Sequence, residues 1–264
     1  MAAIANASYV TYELRGSVAH IGLNRPEKRN AISDAFVETI AEVVARAEGE
    51  AKAAVIYGHG NHFCAGLDLA EHVQKSAIEG VRGSRRWHEV FAKIEHGMIP
   101  YISALHGAVV GGGLELAAST HIRVADRSAF FALPEGQRGI FVGGGGSVRV
   151  ARLTGTARMM DMMLTGRVLS AEEGERCNLA QYLVDTGSAR DKAHELAEAA
   201  ASNAEISNYA IIHALPRIQD MAKDDGLFVE SFISSITATS PEAEERLRAF
   251  LEKRVARLKA PGSE

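Results

Sequence analysis

The sequence predicts an α/β fold, with a core in which short strands alternate with helices and a C-terminal lobe made of helices alone. Three observations carry that expectation. Short alternating or fully apolar stretches recur between helix-period segments from Val10 to Val184. From about residue 188 onward only helical patterns remain. No repeat, low-complexity tract or linker rich in Pro, Gly and Ser separates the two regions, so the boundary is soft and is drawn as 1–200 for the core and 201–264 for the lobe. A chain of 264 residues is long enough for one substantial domain with such an appendage.

The elements follow in order. Val10, Tyr12 and Leu14, then Ala19, Ile21 and Leu23, alternate on either side of Gly16 and stop at Asn24-Arg25-Pro26, which reads as a hairpin. Ser33 caps a helix whose apolar positions Phe36, Ile40, Val43, Val44 and Ala47 fall at helical spacing, and Ala53–Tyr57 is a short buried strand. A long helix spans about 76–97, a strand Tyr101–Leu105, and a glycine-initiated helix begins near Gly112. Strands follow near His121–Ala125 and Ala129–Ala132, and right-handed crossovers are expected between parallel pairs. Ser170-Ala-Glu-Glu173 has the form of a capping box ahead of a further strand at Gln181–Val184. The last helix opens with Ser240 as cap and Pro241 at its first position, and aligns Leu247, Phe250, Leu251, Val255 and Leu258 on one face that needs a partner.

Composition narrows the function classes. Apolar residues make up 47% and charged residues 23%, as in soluble globular proteins, and no apolar run reaches the length of a bilayer span. A formal charge of −4 provides no footprint for nucleic acid or an anionic membrane. Only Cys64 and Cys177 are present, and the first residues lack the charged start and apolar stretch of a signal peptide, so a reducing, cytoplasmic location is expected.

Three segments hold chemistry. In Asn61-His-Phe-Cys-Ala-Gly-Leu-Asp-Leu69, Gly66 stands where the backbone turns sharply after a strand, a geometry that exposes an N–H and that also serves any strand-to-helix loop. In His106-Gly-Ala-Val-Val-Gly-Gly-Gly-Leu-Glu-Leu116, three glycines open an apolar helix and leave N–H donors at its positive end. Glu115 sits in that first turn, where a carboxylate also complements the helix dipole. Glycine costs about 1 kcal/mol relative to alanine inside a helix, so three together point to close approach by another group. In the segment from Ala132 to Ser147, Glu135 follows Pro134 in a loop near a second glycine cluster, where an ion pair with Arg138 competes with a chemical role. Two carboxylates sharing a poorly solvated pocket can hold and deliver a proton near neutral pH, because one pKa rises.

Taken together, these segments resemble the enoyl-CoA hydratase/isomerase, or crotonase, superfamily, from about Val10 to Arg254. Leu23-Asn-Arg-Pro-Glu-Lys-Arg-Asn-Ala31, Cys64-Ala-Gly-Leu-Asp-Leu69, Gly111-Gly-Gly-Leu-Glu-Leu116 and Pro134-Glu135 occur in the family's order and spacing. The resemblance implies a spiral core of ββα units carrying the acyl-CoA site and a helical lobe for trimerisation. It implies an oxyanion hole from the backbone N–H groups of Leu67 and Gly112, where an enolate formed next to a thioester would be held. Both glutamates match the hydratase pair, implying that Glu115 and Glu135 hold a water that adds across a 2,3-double bond.

The same resemblance assigns coenzyme A, as part of the substrate and not as a resident cofactor, to backbone contacts at Ala65, Leu67 and Leu69 and to Lys28. Phe250 and Lys253 of a neighbouring subunit approach it. The helix holding Arg85, Arg86, Trp87, His88 and Phe91 is expected to line the acyl pocket with Val142 and Gly143, although aromatic residues at such spacing also build cores. Partners implied are an acyl-CoA and further copies of the chain, in a homotrimer or a dimer of trimers, with no nucleic acid and no membrane. One departure stands out: Gly143–Gly146 replaces the family's Pro-Gly-x-Gly-Gly, with Val142 at the proline position, so the loop beside Glu135 is expected to differ.

Rival readings are weaker. His59-Gly-Asn-His62 lacks a third metal ligand nearby, so no metal is expected. No glycine cluster continues as a phosphate loop or dinucleotide fingerprint, and Ser147 lacks a nucleophile elbow. Within the superfamily, thioester hydrolysis (alone or after hydration, as in methylthioacryloyl-CoA hydratase) and double-bond isomerisation remain alternatives. A non-catalytic crotonase-fold binding protein would be expected to have lost a glutamate, whereas this chain has both.

Overall fold

The computed structural model describes residues 9–70 and 76–252. They divide between Ser202 and Asn203 into two units. In the first, β1 (Val10–Arg15) and β2 (Val18–Leu23) pair antiparallel. A short 3-10 turn, Pro26–Lys28, leads to α1 (Asp34–Glu50), capped by Ser33, whose hydroxyl accepts from the Phe36 N–H. β3 (Ala53–Gly58) precedes α2 (Ala77–Glu95), which opens with a capping box between Ser76 and Glu79. Then come β4 (Tyr101–Leu105), β5 (Ala108–Val110), α3 (Gly112–Ala118), β6 (Ile122–Asp126) and β7 (Phe130–Ala132). The unit closes with α4 (Gly146–Thr154), α5 (Thr156–Thr165), β8 (Leu169–Ser170), α6 (Ala171–Arg176), β9 (Tyr182–Val184) and α7 (Ala189–Ala201).

Six strands form one sheet in the order β1-β2-β3-β4-β6-β9, parallel except for the opening hairpin. β5, β7 and β8 form a second, small sheet. The two faces of the large sheet bury different sets of side chains, as the period of two requires. Ile21, Leu23, Ala54 and Ile56 join the main core with Phe36, Phe91, Leu114 and Phe131. Val18, Val55, Tyr57, Ile102 and Val124 face α7, whose stripe Ala189, Ala193, Ala197 and Ala201 recurs every fourth residue and lets that helix lie close. Burial on both faces is what parallel interior strands require, and it explains the near-continuous apolar runs of β3 and β4.

The second unit holds α8 (Glu205–Gln219), α9 (Lys223–Ala238) and α10 (Pro241–Leu251), with α9 packed on both of its neighbours. Ser240 caps α10 as expected, accepting from the Ala243 N–H. Leu227, Phe228, Phe232 and Ile236 of α9 and Leu247, Phe250 and Leu251 of α10 are exposed. Val255 and Leu258, expected on the same face of the last helix, lie outside the described residues, as does Lys253.

Candidate active site

The site begins with two loops stitched into the ends of the sheets. After β3, Cys64 bridges to Val109 of β5, the Cys64 N–H donating to Ala108 O at 2.9 Å and the Val110 N–H to Cys64 O at 3.0 Å. One step on, Leu67 bridges to Ile32, with the Ile32 N–H donating to Gly66 O at 2.7 Å and the Asp68 N–H to Ile32 O at 2.9 Å. Buried Asn30 fastens the assembly through its side-chain amide, which donates to His59 O at 2.9 Å and His62 O at 2.8 Å. Between the bridges the chain turns at Gly66, φ +93°, a left-handed conformation, and a β-carbon there would stand 2.7 Å from Val110 O. Only glycine fits. That turn sets the Leu67 N–H beside the start of α3, since the β-carbon position of Gly112 is 3.6 Å from Leu67 N. Gly112 is the first residue of α3, so its N–H has no intrahelical acceptor. Neither amide donates to any of the described residues.

Both glutamates share a pocket with these amides. Leu67, Gly112, Glu115 and Glu135 line one pocket of about 440 Å³, walled by α2 residues including Val81, Ser84, Arg85 and Trp87 and by the loop Ile140–Gly144. Glu115 is 3% exposed, and its Oε1 accepts from the N–H groups of Gly144 and Gly146, both at 2.8 Å. The glycine run expected to reshape the surroundings of Glu135 therefore holds Glu115, because the turn into α4 lays it against α3. Glu135 is 7% exposed and is followed by a 3-10 turn, Gly136–Arg138; its Oε2 is buried with no hydrogen-bond partner among the described residues.

The two carboxyls differ in how they are solvated. Burial pushes Glu115 above the ordinary carboxylate range, opposed by the N–H groups of Gly146, Gly144 and Gly143 and by the charge of Arg149. Burial also pushes Glu135 up, and there the charge of Glu115 adds to the rise while its own backbone N–H and Arg138 oppose it. Burial thus shifts both carboxyls toward keeping a proton, Glu115 against the pull of three backbone N–H groups and Glu135 with the charge of Glu115 added.

Other expected site residues separate into two groups. Trp87, Val142 and Gly143 line the pocket, and the Trp87 indole N–H points to Asp34 Oδ1 at 3.4 Å. Phe91 does not: it is fully buried, edge-on to Trp87 with centroids 5.7 Å apart, and backs the wall from the core. Of the other α2 residues, Arg85 lines the pocket, whereas Arg86 is paired with Glu38 and Glu89. Lys28, Ala65 and Leu69 lie outside the pocket lining. The Lys28 ammonium bonds Asp68 Oδ2 at 2.9 Å, the Ala65 N–H donates to Arg29 O at 3.0 Å, and Leu69 is 46% exposed. Phe250 is an exposed residue of the second unit. Sequence reasoning missed Ile140 and Phe141, whose signal was an adjacent apolar pair just after Gly139 in a glycine-rich loop. His59 and His62 are engaged with Thr11 and the Ala108 N–H, and among the described residues no group of three or more His, Cys, Asp or Glu could hold a metal.

The sequence profile of the enoyl-CoA hydratase/isomerase family matches residues 13–261. The chain belongs to this family. Enoyl-CoA hydratase EchA19 of Mycobacterium tuberculosis is 31% identical, over 96% of this chain and 97% of the relative. The short-chain-enoyl-CoA hydratase of Clostridium acetobutylicum is 30% identical, over 93% and 95%. A crystal structure from Rhodopseudomonas palustris CGA009, of a protein assigned provisionally as an enoyl-CoA hydratase, superimposes with a TM-score of 0.93 at 50% identity, over 96% of this chain and 98% of that one. The mixed α/β architecture of this enoyl-CoA hydratase/isomerase family member, with its helical C-terminal region, is therefore the crotonase fold expected from sequence.

Proposed function

We propose that this protein hydrates a 2,3-unsaturated acyl-CoA. The observation that carries the reading is that two buried carboxyls with unlike partners, one held by glycine N–H groups and one with an oxygen that has no partner among the described residues, share a pocket with two amides that donate to none of those residues. The Leu67 and Gly112 N–H groups receive the thioester oxygen. Glu115, the carboxylate held by two backbone N–H groups, takes a proton from water as the water oxygen bonds to C3. The electron pair of the double bond passes through C2 to the thioester oxygen, where negative charge develops against the two amides. Glu135 then delivers its proton to C2 as the enolate collapses, and exchange with solvent restores both groups. One water is consumed and no cofactor is needed beyond the coenzyme A that the substrate carries.

Coenzyme A, in this reading, lies over the outer side of the Ala65–Leu69 loop. The Ala65 N–H is occupied, so its carbonyl is the atom offered to the adenine amino group, while Lys28 stands near for a phosphate. The pocket wall is mainly apolar, with Arg85 lining it, which suits a hydrocarbon acyl group of moderate size. The second unit serves as an oligomerisation lobe in a trimer or dimer of trimers, bringing Phe250 and Lys253 of one copy toward the coenzyme of another. A cytoplasmic setting belongs to the same proposal; among the described residues no helix is long and apolar enough to cross a membrane.

The test follows enoyl absorbance and free thiol together on a panel of enoyl-CoAs. Loss of absorbance without thiol supports hydration, whereas thiol release without hydration replaces it with thioester hydrolysis. Glu115→Gln should lower hydration by about 10²–10⁴-fold while leaving affinity for a saturated acyl-CoA unchanged. Full activity in that variant would remove Glu115 from the chemistry.

A further inference from the structure

Glu115 depends on a turn made entirely of glycine, and glycine by itself does not hold a shape. The two N–H groups that reach Glu115 Oε1 belong to the peptides entering Gly144 and Gly146. The peptide between them carries the carbonyl of Gly144, and if it rotates, both donors lose their aim. One side chain grips that carbonyl: Arg149 Nη1 donates to Gly144 O at 3.0 Å. Its Nε donates to Glu95 Oε2 at the C-terminal end of α2, at 2.7 Å. The Arg149 side chain is 10% exposed, so this is a built contact and not a surface ion pair.

The backbone of Arg149 contributes as well. Its N–H donates to Gly145 O at 3.0 Å, in the first turn of α4. Gly145 is left-handed, φ +102°, and any β-carbon there would collide with the guanidinium. The planar fork of arginine reaches a carbonyl and a carboxylate at once, which a lysine ammonium does with less geometric definition.

We propose that Arg149 is the positioning residue for Glu115, locking the glycine turn between α2 and α4 so that two backbone N–H groups stay aimed at one carboxylate oxygen. It does not touch the substrate pocket; its effect on the reaction passes through the turn. The proposal rests on the reading of Glu115 as a catalytic carboxylate, and its experiment separates the two.

Arg149→Met and Arg149→Lys are compared with the unaltered enzyme for kcat, KM and the pH profile on one hydrated enoyl-CoA. Charged and titratable groups near Glu115 are Glu135 in the facing loop and Arg149 on α4, with His88 of α2 lying against Gly145. Arg149 lowers the proton affinity of Glu115, so its loss moves the limb governed by Glu115 to higher pH. The expected result for Arg149→Met is a fall in kcat of about 10²-fold, with KM changed far less and the limb displaced upward. Arg149→Lys keeps the charge and returns the limb to its original pH, while kcat stays below the unaltered value because the carbonyl is held less well. Melting temperatures identify variants that fail to fold, and Glu95→Gln, which loosens the far end of the same link, provides a second route to a smaller fall in kcat. If Arg149→Met lowers the melting temperature but leaves kcat per folded molecule and the pH profile as they were, the residue is structural and the proposal is overturned. An inactive Glu115→Gln beside a fully active Arg149→Met rejects only the positioning role. An active Glu115→Gln rejects the underlying reading.

Discussion

Glu135 carries a conflict between stability and chemistry. Its carboxyl is buried with one oxygen unpartnered among the described residues, and burial and the charge of Glu115 raise its pKa. A group raised in the folded state stabilises the fold fully below its unfolded pKa of about 4.3, and loses that contribution as pH rises through the folded value. Glu135→Gln, which cannot ionise, should therefore melt higher than the unaltered protein near neutral pH, with the advantage growing from about pH 4 upward, while hydration falls by about 10²–10⁴-fold. Thermal scans across pH check the first part, and a melting temperature no higher at any pH would contradict it. Both glutamates were legible in the sequence because each stands beside glycines or proline that a bland helix or loop does not need. The partners that hold Glu115 were not, since Gly144 and Gly146 reach it, and Arg149 braces their turn, only through the packing of α4 on α3.

At the level of elements, the proposed oxyanion hole depends on the Asn61–Leu69 loop being tied to the 3-10 turn that precedes α1. Asp68 makes the tie, with Oδ2 3.1 Å from Arg25 and 2.9 Å from Lys28, and both Asp68 and Arg25 are nearly inaccessible. Burial alone would raise the Asp68 pKa, but Lys28, the Ala70 N–H and Arg25 outweigh it and hold the carboxyl below its ordinary value. Its contribution is accordingly present above an unfolded pKa of about 3.9 and disappears as pH falls through the folded value. Asp68→Ala should cost about 3–5 kcal/mol in denaturant unfolding, and it should flatten the acid limb of stability; an unfolding midpoint equal to that of the unaltered protein would refute the tie. Strong local signals made most elements readable, among them the Gly16 hairpin and the caps Ser33, Ser170 and Ser240. β5 and β8 escaped because they are short, three and two residues, and are defined by pairing with β7, a non-local contact that no local period announces.

For the molecule as a whole, the exposed apolar side chains of α9 need cover, and a second copy of the chain is the proposed source. Sedimentation should find trimers or hexamers, and replacing Phe228 and Phe232 by serine should yield smaller species whose first unit still melts cooperatively. A monomer in the unaltered protein would remove the lobe's assigned role. The helical character of the C-terminal region could be read from where strand patterns end, but the exposed stripe on α9 could not, because sequence shows which residues are apolar and not which of them the chain leaves uncovered. One further property follows from Trp87. It is the only tryptophan among 264 residues, and it stands in the pocket wall with its indole directed at Asp34. Indole emission from this protein, excited beyond the absorption of its six tyrosines, therefore originates at a single place, so an unlabelled sample titrated with a non-reactive thioester reports occupancy optically, free of background from any other indole.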